Sequence, residues 1–227
     1  MIVTIDGLAS TGKTTAGTGL AKKLGFGYLG TGALYRALTI AYLQEGVNYE
    51  NKEEVVALLK RTNISVMFEN SNQKTFLNGV DVTSKLKDKD VANLVAKISP
   101  IHENRVFIRK IQHNTAKNAN IIVEGRDIGS VVFPDADVKF FFSARPEVRA
   151  TRRFEELKRL GKEITFEEVL KETIERDKLD QEREESPMVI PQGAIVIDTS
   201  DSTLEEVIDF MEKQVQKKMQ ANVGKCK

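Results

Sequence analysis

The chain has no tryptophan, and its only cysteine is Cys226. A single thiol excludes an internal disulfide and a cysteine-based metal cluster. Five prolines in 227 residues leave no proline-rich stalk or linker. Neither sign of charge dominates, because 34 Lys and Arg oppose 33 Asp and Glu for a net charge of +1. That balance gives no support for nucleic acid or a membrane surface as a general partner. No apolar run approaches the roughly 20 residues a bilayer span needs. The N-terminus enters a strand-like stretch with no basic-then-apolar leader before it. There is no internal repeat and no low-complexity segment. These absences point to a soluble cytoplasmic protein, with length for one sizeable core and a small inserted lobe; a monomer is the expectation.

What is present begins at the N-terminus. Ile2-Val3-Thr4-Ile5 is β-branched and apolar and reads as a buried strand. Gly7-Leu8-Ala9-Ser10-Thr11-Gly12-Lys13-Thr14 follows at once and fits G-x-x-x-x-G-K-[ST] at every position. From Thr14 a helical pattern places Ala16, Leu20, Ala21 and Leu24 on one face. Strand, glycine-rich loop and helix together are the context that a phosphate loop requires. Gly7 and Gly12 let the backbone approach a phosphate closely. The loop N–H groups form an anion nest backed by the helix dipole. Lys13 is a point charge for the β- and γ-phosphates, and the Thr14 hydroxyl is the expected magnesium ligand. Gly17 and Gly19 lie inside the helix, where each costs about 1 kcal/mol against alanine. Close packing on a sheet accounts for one of them and leaves the other unexplained.

Downstream, strands alternate with helices. Strands are expected at 26–29, 121–123, 138–142 and 194–198, and helices at 33–43, 51–61, 91–98, 103–115, 146–160, 166–185 and 203–216. Gly30-Thr31-Gly32 is expected to break the chain after the second strand, and the polar tail 217–227 to fray. One patch departs from this rhythm. Ile64, Val66 and Phe68 alternate with polar residues, and Asn78-Gly79 is a hairpin signal before Val80 and Val82. A small antiparallel meander of this kind belongs to an inserted lobe. The expected fold is therefore α/β, a doubly wound five-stranded parallel sheet with ligands at the carboxyl ends of its strands.

A phosphate loop accounts for a donor and leaves the acceptor open. Arginines supply the clue: Arg36 and Arg126 follow strands, Arg176 and Arg183 flank Asp180 on one helix, and Arg149, Arg152 and Arg153 cluster upstream. Guanidinium groups suit bidentate phosphate binding and stabilise charge on a phosphoryl group in flight. The plainer reading is a set of solvated helix faces paired with Glu147, Glu155, Glu156, Glu175 and Glu182. It is weakest for Arg126, which sits in a strand-end Gly-Arg-Asp. His102 and His113 read as ordinary helix residues.

Three stretches make the chain similar to a known family: Thr31-Gly32-Ala33-Leu34-Tyr35-Arg36, the run from Glu124-Gly125-Arg126-Asp127 to Asp137, and Glu175-Arg176-Asp177 with Asp180, Arg183, Ser186 and Pro187. From Ile2 to about Met211 it resembles bacterial cytidylate kinase, the CMP branch of the nucleoside monophosphate kinases. The resemblance implies a P-loop core at 1–35, 91–148 and 166–227, a monophosphate-binding lobe at about 36–90 that includes the meander, and a short lid at about 149–165. It implies ATP and CMP or dCMP as substrates, with magnesium. ATP falls to Gly7, Leu8, Ala9, Ser10, Thr11, Gly12, Lys13, Thr14, Thr15 and Arg152. CMP falls to Thr31, Arg36, Arg105, Arg126, Asp127, Arg176, Asp180 and Arg183. Lys13, Arg126, Asp127, Arg149 and Arg153 are expected to carry the transfer.

Three departures from the family pattern stand out. Leu8 replaces a usual proline and is expected to loosen the loop. Gly30 replaces a common aspartate, and Ala96 falls where a pyrimidine-contacting serine is expected, with Ser99 three residues away. The last two bear on whether CMP, dCMP and UMP are told apart. Glu124 or Asp127 is expected to orient magnesium through water. Rival readings are a kinase for another small acceptor such as UMP, AMP or shikimate, and a nucleotide-binding module without catalysis. A GTP switch is disfavoured because the chain has no Asn-Lys-x-Asp and no D-x-x-G switch.

Overall fold

The computed structural model describes residues 1–69, 71–182 and 185–225. Strand β1 (Ile2–Gly7) is buried on both faces. It is the third of five parallel strands, ordered β2 (Gly27–Gly30), β6 (Ile121–Glu124), β1, β7 (Val138–Ser143), β8 (Ile195–Asp198). The doubly wound parallel sheet expected from the alternation is thus present, with the strand that feeds the phosphate loop at its centre.

Alternating side chains of the sheet feed two cores. On one face Val3, Ile5, Ile122, Phe140 and Phe142 pack against Leu20 of α1 (Lys13–Leu24) and Ile208 and Met211 of α8 (Leu204–Lys225). On the other, Leu29, Ile121 and Val123 join side chains of α2 (Thr31–Glu45), α3 (Lys52–Arg61), α4 (Lys89–Ile98) and α5 (His102–Ala116). A third, smaller cluster of Ala150, Leu157 and Val169 holds α6 (Pro146–Arg159) against α7 (Phe166–Glu182). Among the described residues, no helix is long and apolar enough to cross a membrane.

The meander is a separate antiparallel sheet of β3 (Ile64–Glu69), β4 (Asn72–Leu77) and β5 (Val80–Asp81). Asn78 and Gly79 both take positive φ, 50° and 83°, as the tight hairpin turn requires. This sheet docks beside β2, the edge strand of the main sheet. The Ser71 hydroxyl donates to the Phe26 carbonyl at 3.1 Å, and the Gly30 N–H donates to Gln73 Oε1 at 2.8 Å.

Several expectations change. The chain does not break at Gly30-Thr31-Gly32: α2 starts at Thr31 directly after β2. Gly32 falls in the first turn, where N–H groups lack intrahelical partners in any case. The tail does not fray at Lys217, since α8 continues to Lys225. Met211 and Val215 anchor it in the core, and the Gln, Lys, Met and Ala beyond are good helix formers. Two short helical turns were not anticipated, a 3₁₀ turn at Thr83–Lys87 and a π turn at Ile128–Val132. Both helix glycines face close neighbours, at Gly17 a ring and at Gly19 a side-chain end. A Cβ on Gly17 would lie 2.8 Å from the Tyr28 ring and 3.1 Å from Ile5, and one on Gly19 would lie 2.5 Å from Ile208 of α8.

Candidate active site

The carboxyl edge of the sheet gathers most of the singled-out residues. Gly7 has φ +135°, and a Cβ there would sit 2.1 Å from the Phe142 carbonyl oxygen. The loop therefore leaves β1 along a path only glycine can take. Ser10 and Gly12 also have positive φ, 58° and 88°. Leu8 adds a tether that bears on the expected loosening of the loop. Its N–H donates to the Phe142 carbonyl at 3.2 Å, a bond that proline could not make. The Leu8 carbonyl in turn accepts from the Thr11 hydroxyl at 2.9 Å and from Lys13 Nζ at 2.5 Å. Burial, and then the charge of Arg126, push Lys13 down to about 7 against the opposing pull of Glu124 and Asp6. An amine so placed gains most from an anion set beside it.

At the mouth of the loop, Glu124 Oε2 accepts from the Thr14 hydroxyl at 2.9 Å and from the Tyr28 hydroxyl at 2.5 Å. Burial and the neighbouring Glu124 charge hold the Tyr28 phenol protonated by raising its pKa. Thr15 is exposed one position further on. Of the two carboxylates considered for orienting a cation, Glu124 stands beside Thr14, whereas Asp127 is buried in an ion pair with Arg105. Among the described residues no group of three or more His, Cys, Asp or Glu side chains could hold a metal.

The Thr31 hydroxyl donates to the Glu124 carbonyl at 2.8 Å. Arg36 donates to the Leu86 carbonyl at 3.0 Å, and Arg126 pairs with Asp180 at 2.8 Å. Arg105 also reaches the Ser99 carbonyl at 3.5 Å, while Ala96 is exposed on α4. Arg176 is an exposed residue and makes no ion pair with another described residue. Neighbouring protein atoms desolvate its guanidinium, and Arg126, then Arg36 and Arg153, repel it against the pull of Asp180, so its pKa is lowered. Arg36 is lowered likewise, by burial and then by Arg153. Four guanidinium groups are thus crowded together and in part uncompensated, which is how an anion site looks when charge is held ready for it. Arg183 lies outside the described residues.

The three arginines of α6 separate. Arg149 is fully buried: it pairs with Asp177 at 2.6 Å and donates to the carbonyls of Ala144 at 2.9 Å and, in the loop, Ala9 at 3.5 Å. Arg152 donates to the Thr199 carbonyl at 2.6 Å, and the Thr199 hydroxyl donates to the Thr11 carbonyl at 2.9 Å. Arg153 pairs with Glu156 of its own helix at 2.7 Å. Sequence reasoning missed Tyr28, Asp177, Thr199 and Asp6 as supports of the site. Asp177 stood in a quoted family stretch without a role, and Asp6 carried a signal as a lone carboxylate in an apolar strand next to the glycine loop.

Comparison with known proteins follows the same line. Residues 3–217 match the family model described as cytidylate kinase. The chain is 42% identical over 221 residues to a cytidylate kinase of Caldanaerobacter subterraneus subsp. tengcongensis, covering 97% of each chain. It is 38% identical over 216 residues to a cytidylate kinase of Bacillus subtilis, covering 95% of this chain and 96% of the relative. A solved structure of an uncharacterized protein from Eubacterium ventriosum superposes with a TM-score of 0.51 at 13% identity, covering 95% of this chain and 98% of that one, a likeness of fold alone.

Proposed function

The chain belongs to the cytidylate kinase family and phosphorylates CMP with ATP as donor, and on that premise we propose how its residues divide the work. ATP lies in the loop Gly7–Thr14, with Lys13 on its β- and γ-phosphates and Thr15 and Arg152 beside it. CMP lies across the cleft against Thr31, Arg36, Arg105, Arg126, Asp127, Arg176, Asp180 and Arg183. The lobe at 36–90 and the segment at 149–165 close over the pair and exclude water. The enzyme works as a cytoplasmic monomer without nucleic acid and accepts dCMP as well as CMP.

An oxygen of the CMP phosphate attacks the γ-phosphorus in line, the bond to the β-phosphate oxygen breaks, and ADP leaves. An ionised phosphate is already a nucleophile, so no strong general base is required. Charge stabilisation by Lys13, Arg126 and Arg153, with Arg149 positioning the loop through the Ala9 carbonyl, carries the rate. A magnesium ion fits the Thr14 hydroxyl and the Glu124 carboxylate, two hard oxygen donors 2.9 Å apart at the loop mouth. When bound with ATP it neutralises phosphate charge. Glu124 rather than Asp127 is the carboxylate suited to it.

What supports this division is the mutual crowding of Arg36, Arg126, Arg153 and Arg176, of which Arg126 and Arg176 also lie close enough to Lys13 to repel it. A coupled ADP-release assay tests it with CMP, dCMP, UMP and AMP. CMP and dCMP are expected to exceed AMP at least tenfold in kcat/KM, with UMP between them because Ala96 offers no hydroxyl. Equal turnover of AMP and CMP would contradict the assignment of the acceptor pocket.

A further inference from the structure

We propose that Asp6 is a positioning residue for phosphoryl transfer: its carboxylate locks the Arg126–Asp127 segment onto the strand that enters the phosphate loop and so sets the separation of donor and acceptor. The proposal rests on the reading that Arg126 holds the acceptor phosphate. Asp6 is fully buried, and both its oxygens are used. Oδ1 accepts from the Ile128 N–H at 2.6 Å and Oδ2 from the Gly129 N–H at 2.7 Å. One residue earlier, the Ile5 carbonyl accepts from the Gly125 N–H at 3.0 Å. Two consecutive residues of β1 therefore pin both ends of the Arg126–Asp127 dipeptide, and the next residue, Gly7, begins the loop.

The approach is too close for an ordinary side chain. A Cβ on Gly129 would lie 3.0 Å from Asp6 Oδ2 and 2.7 Å from the Thr4 hydroxyl. Two N–H groups at the start of a turn are orphan donors, and a carboxylate satisfies both with charge-assisted bonds where a neutral side chain could satisfy only one. The charged groups facing Asp6 are Lys13 and Asp127. Burial raises its carboxyl to about 6 against the two N–H bonds, so at pH 8 it is ionised. Thr4 supplies an internal control. It points to the same face of β1, is fully buried, and its hydroxyl has no hydrogen-bond partner among the described residues.

Asp6→Asn keeps the shape, removes the charge and sets an amide N–H₂ against one of the two donors. At pH 8 its kcat is expected to fall about 100-fold, the order expected for misplacement of about 1 Å, while KM for ATP and for CMP each stay within about threefold. Thr4→Val is expected to keep kcat within about twofold, whatever its effect on melting temperature. A kcat for Asp6→Asn within threefold of the parent would overturn the proposal, as would a loss that appears only as a raised KM. Arg126→Ala in the same assay separates this from the premise. If it leaves kcat and KM for CMP unchanged, the acceptor reading fails; if it is crippling while Asp6→Asn is not, only the role of Asp6 fails. Hydrogen exchange on the unaltered protein needs no variant that folds. The Ile128 and Gly129 amides are expected to exchange as slowly as those of β1, and exchange at loop rates would equally overturn the proposal.

Discussion

Lys13 turns burial into a proton-linked binding step. With its pKa pushed down to about 7, it loses charge as pH rises through that value, and phosphates bound as proposed would restore it. The bound form then holds a proton that the free form lacks, so ATP binding takes up a proton above pH 7 and weakens as pH rises further. Calorimetric titration of a non-hydrolysable ATP analogue at pH 8, without magnesium and in two buffers of different ionisation enthalpy, is expected to show uptake approaching about one proton. Lys13→Met is expected to abolish the uptake and lower kcat by about 100- to 1000-fold. Binding without proton uptake in the parent protein would contradict the account. The motif around Lys13 was legible because its residues are contiguous. The support it receives was not, since Glu124 and Thr14 are 110 positions apart and meet only through the register that pairs Ile5 with Glu124.

Helix α1 shows how packing overrides propensity. Its two interior glycines look equally costly in sequence, yet they face different neighbours. At Gly17 an added methyl meets the Tyr28 ring, whose hydroxyl is already committed to Glu124. At Gly19 it meets only the end of the Ile208 side chain, which can rotate. Gly17→Ala is therefore expected to lose about 1–3 kcal/mol by overpacking. Gly19→Ala is expected to stay within about 1 kcal/mol of the parent, because its clash is offset by the helix-propensity gain. Urea unfolding measures both, and equal effects would contradict the packing argument. The meander offers a second case. Its alternation and the Asn78-Gly79 hairpin were readable, but its latch on the main sheet was not, because Gln73 reads as the end of a polar turn at 69–73 whereas it lies in β4. Gln73→Ala removes the acceptor for the Gly30 N–H beside Thr31. It is expected to raise KM for CMP by up to about tenfold, the worth of one hydrogen bond, with KM for ATP unchanged; steady-state kinetics decide.

The parallel sheet sets the geometry of the reaction by placing β1 between β6 and β7. On the proposed assignment the donor loop leaves β1 and the acceptor segment leaves β6, and these two strands are adjacent and parallel. Alternating strands and helices made this architecture readable, because hydrophobic period survives without knowledge of contacts. The arginines were readable as a set but not in their duties. Arg149 and Arg152 brace the back of the loop through Ala9 and Thr199, whereas Arg36, Arg126 and Arg176 crowd the opposite wall. Position on a helix face does not reveal which carbonyl a long side chain will find. The length of α8 was misread because its anchor, Val215, lies just before a polar stretch that continues the helix on propensity alone. The most direct test is a crystal structure with cytidine and adenosine joined through five phosphates, a mimic of both substrates at once. The account predicts the adenosine-side phosphates in the Gly7–Thr14 loop on Lys13, and the cytidine-side phosphate within hydrogen-bond distance of Arg126 and Arg36. A cytidine phosphate bound away from Arg126 would contradict it.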